Sequence, residues 1–203
     1  MDIKTGHHRQ MNVAHWIDSH LSCEYQLPSM SLQLAHPCFD LVIEHHAAIC
    51  LLEEANLFES MYALIRIQFE ALVNGLWLRH VATDSDIKKY EKDSLKIDFG
   101  TKINLIEQKL GVSGGGLSYL KREQWKIFCS FTHSGYQAVV RRIGKIYTGS
   151  SNYKPPEVIT ALRQSGLFAV VSAVELASIG GDQSLIEETI HFAKSYGEGR
   201  RAE

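Results

Sequence analysis

The chain has 203 residues, of which 45% are hydrophobic and 22% charged, with a formal net charge of −2. That composition supports a single folded domain with a real core and excludes a disordered chain, which combines low hydrophobicity with high charge. The near-neutral balance also excludes a general affinity for nucleic acid or acidic lipid driven by overall charge alone.

In chain order, the opening stretch MDIKTGHHRQ has no apolar run, so no secretory signal is expected and the location is read as cytoplasmic. Helices are predicted over residues 8–22, 36–54, 56–83, 97–110, 118–147, 155–179 and 183–196, with little or no strand. Pro28, Pro37, Pro155 and Pro156 are read as marking helix starts, and the interval from Pro37 to Pro155 contains no proline. The segment LFESMYALIRIQFEALVNGLWLRHVA is apolar on almost every side, the pattern of a helix surrounded by others. The predicted fold is therefore an all-α, up-down bundle of one domain around a long buried central helix. The weaker 84–117 region forms a connecting arm, and 198–203 a frayed tail.

The later helix ends have chemical punctuation. Ser118 can cap the helix after VSGGG, Pro155 and Pro156 suit a first turn, Gly180 and Gly181 allow a left-handed exit, and Asp182 can cap the last helix. The most apolar stretch, LFAVVSAVELASIG, is interrupted by Glu175 and reads as too short to span a bilayer. Its small and apolar residues suit close helix contacts, either inside the chain or in a homodimer. Cys23, Cys38, Cys50 and Cys129 show no CxxC pair and no metal-finger spacing, so they read as reduced, packed thiols.

Two stripes are candidates for a site. A 100° step per residue places Glu59, Arg66, Glu70 and Trp77 within about 40° on the central helix, with Arg66 and Glu70 at i,i+4. In an enclosed helix those charges must satisfy each other or a ligand; on a solvent-facing seam they are an ordinary ion pair worth about 0.3–0.5 kcal/mol. In the 118–147 helix the same step places Arg122, Lys126, His133, Gln137 and Arg141 within about 100°, next to an apolar face that includes Trp125 and Tyr136. His133 lies on the seam, where it can donate to a phosphate, act as a general base or simply hydrogen-bond within the bundle. Residues 118–147 hold six Lys and Arg against one Glu, a local +5 that leaves −7 elsewhere. Gly135 weakens a helix by about 1 kcal/mol relative to alanine, so a close approach of another helix or a ligand is expected there.

Other chemistry is sparse. Glu-x-x-His occurs only at Glu188 and His191, and no HExxH, P-loop or GxSxG is present, so no metal site and no cofactor are expected. Arg66-x-x-x-Glu70 in a buried helix, followed by Thr132-His133-Ser134-Gly135, resembles bacterial all-helical families allied to the HEPN domains, which bind nucleotide and RNA. The resemblance spans roughly residues 36–147 and implies a helical bundle that dimerises and binds nucleotide or RNA. HEPN ribonucleases carry Arg and His four to six residues apart, a spacing found here only from Arg9 to His15 in the first helix, where chance accounts for it.

The sequence thus reads as a binding or interaction module for an anionic ligand, nucleotide or protein partner. The expected ligand-binding residues are Arg66, Glu70, His133, Tyr136, Gln137 and Arg141. The alternatives are a HEPN-like RNA-processing enzyme of a toxin or phage-defence system, with His133 as base, and a scaffold without ligand.

Overall fold

The computed structural model describes residues 2–21, 25–143 and 152–201. Among the described residues every regular element is a helix: α1 (Ile3–Leu21), α2 (Met30–Glu54), α3 (Phe58–His80), α4 (Asp84–Glu91), α5 (Phe99–Lys109), α6 (Gly116–Thr132), α7 (Tyr136–Val140), α8 (Pro155–Gly180) and α9 (Gln183–Arg201). The fold is all-α, as the absence of proline in the middle of the chain and its helical periodicity require.

α3 is the central helix. It packs against α2, α5, α6 and α8, and Met61, Ile65, Phe69, Leu72, Val73, Trp77 and Leu78 along it are buried. Its buried Phe69 stacks on Phe168 of α8 and meets Phe99 of α5 edge-on, so one side chain ties three helices together.

Four expectations change. Pro37 lies inside α2, which begins at Met30 with Ser29 Oγ accepting the Leu32 N–H. A proline at this point removes only one backbone donor, and the apolar face that α2 lays on α3 holds the helix through it. The 84–117 region is no arm standing off the bundle: Asp98 caps α5, and its Ile103 and Ile106 are fully buried against the core. Residues 198–201 of the expected tail continue α9, and 202–203 lie outside the described residues. Ser118 also does not cap α6. The N-cap is Gly115, and Ser118 donates its backbone N–H (2.9 Å) and its hydroxyl (2.6 Å) to Glu107, so a carboxylate from α5 satisfies the start of α6.

α8 starts with Pro155 and Pro156, ends on Gly181 in the left-handed region and is followed by Asp182, which accepts from the N–H groups of Ser184 and Leu185. With 26 residues it is long and apolar enough to cross a membrane, contrary to the shorter segment read from the sequence, but 61% of its most apolar window is buried inside the fold. Phe168, Ala169, Val170, Ala173, Leu176 and Ala177 all serve the core of this chain. The small-residue run therefore packs within the bundle.

A polar knot crosses that core. His46 of α2 is fully buried, with Nε2–H donating to the Gln10 carbonyl (3.1 Å) and Nδ1 accepting from the Ser165 hydroxyl (2.9 Å). Gln68 of α3 donates to the carbonyls of Val42 and Ser165, and Tyr196 of α9 donates to that of Arg163. A Cβ on Gly166 would lie 1.9 Å from Gln10 Oε1 and 2.6 Å from Tyr196 Oη, so the glycine leaves room for these two side chains where α1 and α9 meet α8. Buried donors left unpaired cost about 1–3 kcal/mol each, so this set of bonds favours one mutual arrangement of five helices.

Burial pushes the His46 imidazole down to about 4 from 6.5. Between those values the unfolded chain binds a proton that the folded one does not, so stability falls as pH falls. Urea unfolding at pH 7 and pH 5 should show wild type losing roughly 2 kcal/mol more than a His46→Gln variant; equal losses would place the proton elsewhere.

Candidate functional site

The helix expected over 118–147 breaks after Thr132. His133 closes α6, its N–H reaching the Cys129 carbonyl at 3.0 Å, and Ser134 adopts φ +52. Gly135 then begins α7 with extended backbone, its N–H donating to the Ser130 carbonyl at 2.6 Å. A methyl group on Gly135 would lie 2.7 Å from Ser130 Oγ and 3.1 Å from Ser130 Cα. The glycine therefore makes room for the chain folding back on the end of α6, and for neither a partner helix nor a ligand. The Ser130 hydroxyl accepts the Gln137 N–H at 3.0 Å and locks the turn. Residues 144–147 of the expected helix lie outside the described residues.

This turn delivers His133 to α3. Arg66 Nη1 donates to His133 Nε2 at 2.6 Å, which places the ring proton on Nδ1. Arg66 Nε and Nη2 both reach Glu70 Oε1 at 3.0 Å. The guanidinium also lies over the Trp125 ring at 4.9 Å, and Trp125 stacks on Phe99. With its side chain only 16% exposed, Arg66 is held on three sides, by a carboxylate, an imidazole and an indole. Such a partly desolvated guanidinium interacts with charge more strongly than one in open water. Lys126, exposed on α6, falls about 100° from Trp125, whereas Arg122 is paired with Glu123 at 2.7 Å and lies over the Tyr119 ring.

Of the residues expected to form one site, Arg66, Glu70 and His133 come together and the other three do not. Tyr136 is 75% exposed on α7, and Gln137 donates its backbone N–H to the Ser130 hydroxyl. Arg141 lines a separate cavity between α3, α6 and α8, where its Nη1 donates to Glu157 at 2.7 Å and its guanidinium lies over Tyr153. The single stripe assumed continuous helical phase, and the turn at 133–135 resets that phase. Helical spacing places Trp125 on the apolar face alone, and nothing in that spacing marks the cation above it. Arg9 donates to the Tyr196 carbonyl and His15 is exposed, both on α1, away from this site. Among the described residues no group of three or more His, Cys, Asp and Glu is placed to hold a metal ion.

A family model matches residues 39–199. The chain belongs to the DUF6988 family, a family of unknown function. The DUF6988 match runs from α2 into α9 and so includes Arg66, Glu70, Trp125 and His133, while Arg9 and His15 lie outside it. No curated protein and no solved structure matches the chain.

The turn makes a direct prediction. If Gly135 fitted a continuous helix, Gly135→Ala would stabilise the protein by about 1 kcal/mol. The observed contacts require destabilisation by about 1–3 kcal/mol instead, together with displacement of the His133 ring resonances, which chemical denaturation and NMR would register.

Proposed function

We propose that this DUF6988 protein is a cytoplasmic binding module that takes an anionic, phosphate-bearing ligand such as a nucleotide at the Arg66–His133 edge. The observation that carries this reading is the 2.6 Å contact between Arg66 Nη1 and His133 Nε2, on a guanidinium laid over Trp125. Glu70 fixes the guanidinium plane, and a phosphate oxygen can replace His133 as acceptor on Nη1. The His133 Nδ1–H supplies a further donor, and Lys126 adds longer-range attraction that falls with salt. Titration with AMP, followed through the Trp125 indole resonance, should give saturable shifts at low salt. Arg66→Ala should weaken binding at least about tenfold, a loss of about 1.4 kcal/mol, and unchanged affinity would remove the assignment.

A second reading has a specific observation in its favour. His133 is exposed on the surface, and an incoming phosphate that draws Arg66 away would free His133 Nε2 to accept a proton, leaving Arg66 to neutralise phosphate charge. A HEPN-like RNA-processing enzyme would here draw its Arg and His from α3 and the end of α6 instead of from one short motif. Incubation with single-stranded RNA decides it: cleavage that His133→Ala abolishes and His15→Ala leaves intact supports the enzyme, and cleavage that survives His133→Ala excludes it.

Self-association belongs to the binding reading. Tyr136, Val139 and Ile143 form an exposed apolar group beginning at the turn that carries His133, and a second copy could cover it. Light scattering that gives a monomer mass at micromolar protein would remove this part.

A further inference from the structure

The stripe of α3 that carries Arg66 continues toward the start of the helix. Glu59, Ala63, Arg66 and Glu70 recur at intervals of four, three and four residues and so share one face. Glu59 accepts from Arg142 Nη2 at 2.9 Å, and about 10 Å further along the axis Arg66 is held by Glu70. Between the two pairs the stripe carries only the methyl group of Ala63, and a cavity of about 470 Å³ opens there between α3, the end of α6 and α7. Thr132 and Ser134, on either side of His133 in the chain, both line it. The cavity therefore adjoins the Arg66–His133 contact, and its volume falls within the range of roughly 300–1,000 Å³ typical of small-molecule sites.

The polar groups of this cavity are open to a ligand. Ser60 of α3 and Ser134 of the turn are both exposed lining residues. Ser134 holds its place through φ +52, a left-handed backbone uncommon outside glycine, in the same turn that sets His133 on Arg66. The Thr132 hydroxyl is already spent on the Phe128 carbonyl at 3.0 Å. Arg142 gives Nη2 to Glu59 and, with its side chain 51% exposed, keeps guanidinium N–H groups in solvent. Ala138 and Val139 make the remaining wall aliphatic. Phe131, the one ring in the lining, is 4% exposed and stacked on Tyr62 with centroids 4.7 Å apart, so it offers no face on which a planar base could stack.

Accessible hydroxyls and guanidinium N–H groups over a short aliphatic wall suit a hydroxylated, saturated ring. We propose that this cavity takes the sugar of a sugar phosphate whose phosphate rests on Arg66 and His133, with the sugar oxygens bonded to Ser60, Ser134 and Arg142. Any base attached to that sugar is left unread. The inference rests on the anion site proposed above and adds the chemical class of the group joined to the phosphate.

Inorganic phosphate, ribose 5-phosphate and AMP, each titrated at low salt into the full chain labelled with ¹⁵N, test this through the Trp125 indole and the Ser60 and Ser134 amide resonances. Ribose 5-phosphate should bind about tenfold more tightly than inorganic phosphate, the effect of one or two hydrogen bonds, and AMP within about threefold of ribose 5-phosphate. Ser60→Ala, and Ser134→Gly, which suits the positive φ, should each cut the advantage of ribose 5-phosphate over inorganic phosphate to about threefold. If Ser134→Gly displaces the His133 resonances, Ser60→Ala decides alone. Saturation by inorganic phosphate with no gain for ribose 5-phosphate overturns the sugar site and leaves the anion site standing, whereas saturation by none of the three removes both. AMP binding more than about tenfold tighter than ribose 5-phosphate shows that the base is read, and a full tenfold advantage in Ser60→Ala removes the serine from the site; either result overturns the proposal.

Discussion

Everything in this structure is arranged around the enclosure of α3. Four other helices pack against it, and its middle turns bury a run of large side chains from Ile65 to Leu78. A helix so enclosed cannot carry charge freely, and Arg66 lies at the border where the α6 contact gives way to solvent. There its charge is matched by Glu70 from its own helix and its flat face by Trp125 from α6. The position of Arg66 is therefore a product of core packing, and its chemistry follows from that position.

α6 separates two environments of different electrical character. On one flank Arg66, held by Glu70, meets an exposed imidazole. On the other, Arg141 is neutralised by Glu157, whose carboxyl the Arg141 hydrogen bond holds below its usual range. Burial in turn raises the hydroxyls of Tyr62 and Tyr153 far above theirs, so both stay protonated donors at any physiological pH. One helix thus meets the Arg66–His133 contact on one side and a largely apolar cavity on the other. Phe69 packs against Phe99, Phe128 and Phe168 and so joins α3 to α5, α6 and α8 between these two environments.

The backbone turn at residues 133–135 is what distinguishes this site from a plain basic stripe. Its components are local: a glycine against Ser130, a hydroxyl that accepts the Gln137 N–H, and one residue with positive φ. Its effect is tertiary, because it lifts His133 out of helical phase onto Arg66 and sends Arg141 toward the opposite flank. A straight helix would have kept His133, Gln137 and Arg141 on one surface, with a uniform and solvated charge.

The sequence by itself determined the all-α class, the central place of the 57–82 segment and most helix positions. These depend on the periodicity of apolar residues and on terminal signals such as Pro155, Gly181 and Asp182, all of which act within a few residues. It also pointed to Arg66, Glu70 and His133, since charge in an apolar helix and histidine beside glycine are visible in the order of residues. Only the tertiary structure decided which of the candidates meet. The capping of α6 by Glu107, the passage of α2 through Pro37, the stacking of Arg66 on Trp125 and the departure of Arg141 to Glu157 each depend on a neighbour distant in sequence. Helical phase extrapolates reliably only while the helix continues, and a three-residue turn set by the space around Ser130 was enough to redistribute the charges.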